Sequence, residues 1–227
     1  LAKTDTPHPK LDGTVHTAAE QIRAAGGQAL PIVGDVRDDD DIERAVRGTL
    51  DAFGGIDIVV NNASVIDLTG SLELGSKRYD LMADVNTRGT FQLSRAAVPA
   101  LRASDNPHIL SLSPPINLDP KWLGAFPGYM LAKYGMTLAT LGLAAEFARD
   151  GIAANTLWPA TTIATAAIEH LPDGRRLMAV SRTPQIYADA AHLVLARPSG
   201  ELTGRSLIVE DVLAEAGITD LSGYAAV

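Results

Sequence analysis

The sequence predicts an α/β domain, a parallel sheet with helices on both faces. From residue 14 onward, charged segments with helical spacing alternate with short β-branched segments that are almost wholly apolar. That is the pattern of βαβ units whose strands are buried on both sides. Paired glycines, Gly26-Gly27 and Gly54-Gly55, stand where two of the helical segments stop. The 227 residues are 46% hydrophobic, enough for a buried core, and no repeat or low-complexity linker divides them, so residues 1–227 read as a single domain.

The first helix runs from about Thr14 to Ala25, and Ala29 to Val33 follows as a strand. Asp38 to Asp41 opens the second helix, where carboxylates meet the positive end of the helix dipole, and Gly54 closes it. Ile56 to Val60 is a buried strand. A long helical pattern from about Lys77 to Arg102 keeps Leu81, Val85 and Leu93 on one side. His108 to Leu112 is the next strand. An irregular, proline-rich passage from Pro114 to Pro127 then leads into a helix that ends near Asp150-Gly151. Ile152 to Trp158 reads as a strand, Gln185 to Ala196 as a helix and Ser206 to Val209 as the last strand.

Composition excludes several classes of function. Charged residues are 20% of the chain, the net charge is -8 and no basic run of five or more occurs, so neither nucleic acid nor an anionic membrane is an expected partner. No stretch reaches the ~18 apolar residues of a membrane span, no signal peptide is read at the N-terminus, and a cytoplasmic location is the expectation. With no cysteine there are no disulfides, thiolate metal sites or cysteine nucleophiles. His8, His16, His108, His170 and His192 are scattered without a metal-binding spacing, and no catalytic metal is expected.

Chemistry concentrates at Tyr129-Met-Leu-Ala-Lys133. Residues four apart on a helix share a face. A cation beside a phenol favours the phenolate and brings a group that titrates near pH ~10 toward neutrality. By spacing alone the pair is more often a solvated helix surface, and its neighbours decide between the two readings.

Those neighbours are Asn61-Asn-Ala-Ser64 after a buried strand, Asn86 in the following helix, a serine at a strand end, and Asn155-Thr-Leu-Trp-Pro159 beyond the Tyr-Lys pair. Their order and spacing resemble the short-chain dehydrogenase/reductase family over nearly the whole chain. Pro7-His-Pro-Lys10, Asn86-Thr-Arg-Gly89, Ser113-Pro-Pro-Ile116 and Ala132-Lys-Tyr-Gly135 resemble its hydroxysteroid-dehydrogenase-like branch. The resemblance implies a Rossmann-like, doubly wound sheet. It implies that Tyr129 gives a proton to a substrate carbonyl while a nicotinamide delivers hydride, or the reverse, and that Lys133 lowers the Tyr129 pKa and binds the nicotinamide ribose. Asn86 would hold a water through its backbone carbonyl while its side chain holds the helix in place; the alternative is a polar residue simply paired inside a helix.

The family's substrate-orienting serine falls on Pro114, which has no side-chain donor. Either Ser113 takes that role, or another donor such as Asn117 does, or Ser113 is a buried serine satisfying a strand end. For the cofactor, the resemblance implies that Asp35 and the Val36 amide meet the adenine, and that Asn62 and Ala63 pass the adenosine ribose while Asn61 ties neighbouring strands. Pro159 to Thr165, chiefly Ile163, would take the nicotinamide carboxamide. Lys3, at the end of the second strand, favours the extra phosphate of NADP over the bare ribose of NAD.

The family's first strand and its Gly-rich, phosphate-cradling turn should precede Lys3, and these residues do not supply them. The expectation is an N-terminally incomplete domain short of about 35 to 40 residues, the length of one βαβ strand and helix. The leading reading is an NADP(H)-dependent oxidoreductase for a small hydrophobic or lipid-like carbonyl or alcohol, resting on Trp122, Leu123, Phe126, Ile168, Leu171 and Met178. The rival is a nucleotide-binding regulator of the same fold with little turnover. By resemblance the long helices would pair with symmetry mates in a homodimer or homotetramer.

Overall fold

A computed structural model describes residues 1–7, 13–171 and 173–226. Its centre is a parallel sheet of β1 (Ile58–Asn61), β2 (His108–Ser111), β3 (Ala153–Trp158) and β4 (Ser206–Ile208), in that spatial order. Ile58 lies opposite His108, His108 opposite Ala153 and Thr156 opposite Ser206.

Helices α1 (Val15–Ala24) and α2 (Asp39–Phe53) precede the sheet in sequence. Thr14 and Thr17 cap α1 reciprocally, and Asp38 caps α2 through the Asp40 and Asp41 amides. At the far end of α2, Gly54 takes a left-handed φ of 83°, which a side chain would resist. The expected long helix after residue 77 follows one path but holds a π-helical turn: α3 (Ser76–Met82), the turn Ala83–Arg88, then α4 (Gly89–Leu101). Short α5 (Pro120–Leu123) leads to α6 (Pro127–Glu146), whose first residue is a proline of suitable φ. Beyond β3 come α7 (Ala166–Glu169), α8 (Gly174–Ala179) and α9 (Pro184–Leu195). Helix α10 (Val209–Glu215), which has no counterpart in the sequence reading, follows β4 directly.

Adjacent strand residues point to opposite faces, and the core divides accordingly. Ile109 joins Val59, Ala154, Val98, Leu101 and Leu143 under α4 and α6, while Leu110 joins Leu157, Ile186, Val194, Val212 and Leu213 under α9 and α10. Helices therefore cover both faces, as a doubly wound sheet requires.

One strand expectation is corrected. Residues 29–33 form no strand of the main sheet; Val33 makes only a single parallel bridge with Ala2, through Ala2 N to Ile32 O at 3.1 Å and Gly34 N to Ala2 O at 2.8 Å. A ladder needs a partner of comparable length, and here the partner contributes one rung. Among the described residues nothing pairs with the outer side of β1, where Ile58 and Val60 are 43% and 44% exposed. Of the branch-like run at residues 7–10, His8, Pro9 and Lys10 lie outside the described residues.

Helix α6 lies unusually close to the π turn. A Cβ on Gly135 would meet Thr87 Oγ1 at 2.4 Å, and a Cβ on Gly128 would meet Leu74 at 2.3 Å. Thr87 uses the approach, donating to the Ala132 carbonyl at 3.0 Å. Gly142, on the same helix, has open space around it. Gly135→Ala is expected to destabilise the fold by about 1–3 kcal/mol through overpacking, whereas Gly142→Ala should be neutral or stabilise by up to ~1 kcal/mol. Urea unfolding of the two variants checks the contrast.

Candidate active site

Open α/β sheets bind ligands beyond the C-terminal ends of their strands. Here β2 runs into Leu112 and β3 ends at Trp158, and the first two turns of α6 bring Tyr129 and Lys133 to that edge. Lys133 is only 4% exposed. Its ammonium donates to the Leu112 carbonyl at 2.9 Å, lies 3.6 Å from Met136 Sδ, and stands 5.3 Å from the centre of the Trp158 ring. No ion pair among the described residues includes it. Burial lowers its pKa to about 8.

Tyr129 is buried enough that its phenol is pushed up to about 12. This corrects the expectation that Lys133 lowers it. The ammonium is engaged by Leu112 and Trp158, no hydrogen bond joins it to the phenol among the described residues, and desolvation of the phenolate is the cause of the shift. Tyr187 on α9 lies beside Tyr129, and its hydroxyl donates to the Leu157 carbonyl. Burial and then the neighbouring Tyr129 phenol push Tyr187 upward.

Asn86 sits fully buried in the π turn. Its side chain accepts from the Val65 amide at 2.7 Å and donates to the Val65 carbonyl at 3.0 Å, clamping the loop after β1 to the helix. Asn61 ties elements together, with Nδ2 donating to Ser94 Oγ on α4 at 2.9 Å and to Ser111 Oγ on β2 at 3.1 Å. Asn62 and Ala63 are exposed just past the end of β1.

Ser113 makes its contacts inside the fold. Its hydroxyl is wholly buried and meets Thr137 Oγ1 at 2.9 Å, and Thr137 also reaches the Pro114 carbonyl at 2.7 Å. A threonine has one hydroxyl proton. Thr137 is thus the donor placed against both the Ser113 hydroxyl and the Pro114 carbonyl. Asn117 accepts from the Asp119 amide and is joined through its backbone to the Tyr134 hydroxyl, so it shapes the loop.

Lys3 and Asp35 do come together, at 3.6 Å. The Asp35 carboxylate, however, is held by Arg37 through Nε and Nη2, and it is lowered to about 2 by that guanidinium first. Its oxygens are thus engaged by Arg37, with the Lys3 ammonium beside them. Val36 packs against Gly89, where a Cβ would come within 2.9 Å of it. Pro159 follows Trp158, and the segment beyond is pinned by Glu210, which accepts from the Ala160 amide at 2.8 Å. Ile163 bridges Arg182 in parallel through Thr162 O and Ala164 N, a pattern in which the Ile163 N–H and C=O take no part. Thr165 precedes α7 without capping it.

Sequence reasoning passed over Arg37, Tyr187, Thr137 and the role of Trp158. Trp158 carried a signal, a large aromatic at the end of a buried strand; Tyr187 carried none. Among the described residues no cluster of potential metal ligands occurs, and no helix is long and apolar enough to cross a membrane.

A doubly wound parallel sheet with a Tyr-x-x-x-Lys helix at its C-terminal edge and an asparagine in the preceding helix defines a nucleotide-dependent oxidoreductase class. Residues 10–175 match the short chain dehydrogenase family. The chain is 50% identical over 224 residues to hydroxysteroid dehydrogenase-like protein 2 of Danio rerio and 49% identical to that of Homo sapiens, covering 99% of this chain and 53% of each relative. It therefore spans about half the length of these curated relatives. A crystal structure of a short chain dehydrogenase from Mycobacterium thermoresistibile superposes with a TM-score of 0.93 at 56% identity, over 100% of this chain and 81% of that one. A Serratia marcescens short-chain dehydrogenase/reductase variant superposes at 0.72 with 27% identity, covering 86% of this chain and 80% of that one. The chain belongs to the short-chain dehydrogenase family, in its hydroxysteroid-dehydrogenase-like branch.

The pKa shifts fix a sign for stability. Lys133 binds its proton less tightly folded than unfolded, so stability should rise with pH from about 8 toward 10. Tyr129 and Tyr187 bind theirs more tightly when folded, so above about pH 10 stability should fall. The expected gain between about pH 8 and 9.5 is about 1–2 kcal/mol. Denaturant titrations at several pH values should show it in the parent and lose it in Lys133→Met; an equal rise in both would count against the assignment.

Proposed function

We propose that this chain is an NADP(H)-dependent oxidoreductase domain that interconverts a carbonyl and an alcohol, with Tyr129 as the acid and base and Lys133 as the buried cation of the site. The observation that carries the reading is the convergence of Tyr129 and Lys133 with the ends of β2 and β3. A bound nicotinamide supplies or accepts the hydride.

The chain's own groups fit such a cofactor. Lys133 has three N–H donors, of which one serves Leu112 and one points at a thioether, leaving a donor for ribose hydroxyls. The Ile163 N–H and C=O, outside their bridge, suit a carboxamide, which needs one acceptor and one donor. Lys3 and Arg37 place two cations beside the Asp35 carboxylate, Arg37 also having Asp84 nearby, and the exposed Lys3 ammonium supports the phosphate of NADP over NAD. Asn62, Ala63, Val36 and Pro159 are proposed to pass along the cofactor by their backbones. Asn86 holds its helix and offers its backbone to a water of the proton path.

Burial keeps Tyr129 protonated, the form that gives its proton to a carbonyl oxygen as hydride reaches the carbon. The same shift disfavours the oxidation direction unless the ammonium approaches the phenol. The segment entering α6 exposes Leu118 and Trp122, 71% and 51% accessible, which supports an apolar substrate. The outer face of α6 exposes Leu131 and Leu138, each 62%, which supports pairing with a symmetry mate. Pro114 at the expected serine position, with Ser113 turned inward, is the one observation that favours a nucleotide-binding regulator instead.

Tyr129→Phe should retain NADPH binding by fluorescence while losing about 10²- to 10⁴-fold in carbonyl-dependent NADPH oxidation. Cofactor binding with no turnover of any carbonyl by the parent would favour the regulator, and full activity in Tyr129→Phe would reject the mechanism. Lys3→Glu should lower the ratio of kcat/KM for NADPH over NADH about tenfold or more.

A further inference from the structure

We propose that Trp158 is a positioning residue: the face of its indole stands in for the carboxylate that the buried Lys133 ammonium lacks, and holds that ammonium charged and pointed at the site. The proposal rests on the reading of Lys133 as the cation of the active site. Lys133 Nζ has three neighbours, the Leu112 carbonyl, Met136 Sδ and the Trp158 ring at 5.3 Å. A carbonyl supplies a dipole and a thioether a weak acceptor. The ring is the remaining source of negative potential. Cation–π attraction is strongest for tryptophan and grows when the pair is desolvated.

Burial decides whether such a contact matters. Lys121 also stands 5.3 Å from an indole, that of Trp122, but both are exposed and water screens them. Lys133 is shielded, and Trp158 is fixed by the sheet rather than by a loop. It is the last residue of β3, it lies opposite Ile208 of β4, and β2 pairs the other edge of the same strand. The backbone that carries the indole is therefore held by the sheet.

Among the described residues no other charge is paired with Lys133 in place of the ring. On its own helix stands Tyr129 and from α9 comes Tyr187, both pushed up by burial and neutral around pH 8. From the α3 and π-turn side, Arg88 is paired with Asp39 and Asp84 lies toward Arg37. On α4, Arg95 is exposed; on β2, His108 meets the Arg197 carbonyl at the far end of the strand; on α5, Lys121 is at the surface.

The test replaces tryptophan by its fluorinated analogues, which drain the ring face of electron density with little change of shape, in a Trp122→Phe background so that only Trp158 is altered. The titration midpoint of Lys133 is read by ¹⁵N and ¹³C NMR on the full chain, its signal identified by loss in Lys133→Met. Each added fluorine should lower the midpoint, by about one pH unit for the most fluorinated ring, and Trp158→Phe should fall between. With turnover, the alkaline limb of kcat/KM should move to lower pH in step. A midpoint that ignores fluorine content would overturn the proposal. The titration needs neither cofactor nor turnover, so a graded shift in a protein that reduces no carbonyl would sink the catalytic reading and leave the Trp158 contact standing.

Discussion

The burial of one ammonium without a counter-ion is the constraint around which this molecule is organised. An isolated charge taken out of water costs several kcal/mol even after relaxation, and Lys133 meets that cost with a strand-end carbonyl and an aromatic face rather than with a carboxylate. Both partners come from the parallel sheet, whose central strands end at the same edge. The arrangement has α6 laid close to the π turn, where a Cβ on Gly135 would run into Thr87. Burial also raises the Tyr129 phenol and keeps it protonated rather than a standing phenolate.

Buried hydroxyls fix α6 in that position. Thr140 donates to Ser111, which also accepts from Asn61, which in turn reaches Ser94, so one chain of hydrogen bonds runs from α6 through β2 and β1 to α4. One turn earlier, Thr137 joins Ser113 and the Pro114 carbonyl. A partly satisfied network in a core is costly, and here the members are joined in series; of the atoms in this hydrogen-bond network, Asn61 Oδ1 is buried without a partner. The position that the family pattern gives to a serine is held here by Pro114, and the neighbouring Ser113 hydroxyl is buried against Thr137.

Much of this was legible in the sequence. The alternation of charged and β-branched segments located every strand of the main sheet to within two residues, and the Tyr129 to Lys133 spacing marked two residues that the fold brings to the C-terminal edge of the sheet. What escaped notice depended on distance rather than order. Residues 29–33 have a strand's composition, yet a strand exists only through its partner, and Ala2 offers one rung. The Tyr129 pKa was read from a neighbouring cation, whereas the balance is set by burial, which no spacing reveals. Arg37 lies two residues from Asp35 and neutralises it, an effect visible only once the turn brings the guanidinium back over the carboxylate.

The most direct measurement is a spectrophotometric titration of the tyrosines, parent against Tyr129→Phe, since the account makes burial the dominant influence on the reacting phenol. Tyr129 should remain un-ionised until pH approaches about 12, so the two difference spectra should coincide from neutral pH to about pH 10. A phenolate signal that grows in the parent near neutral pH and is missing from Tyr129→Phe would show that the Lys133 ammonium outweighs burial, and would contradict the account at its centre.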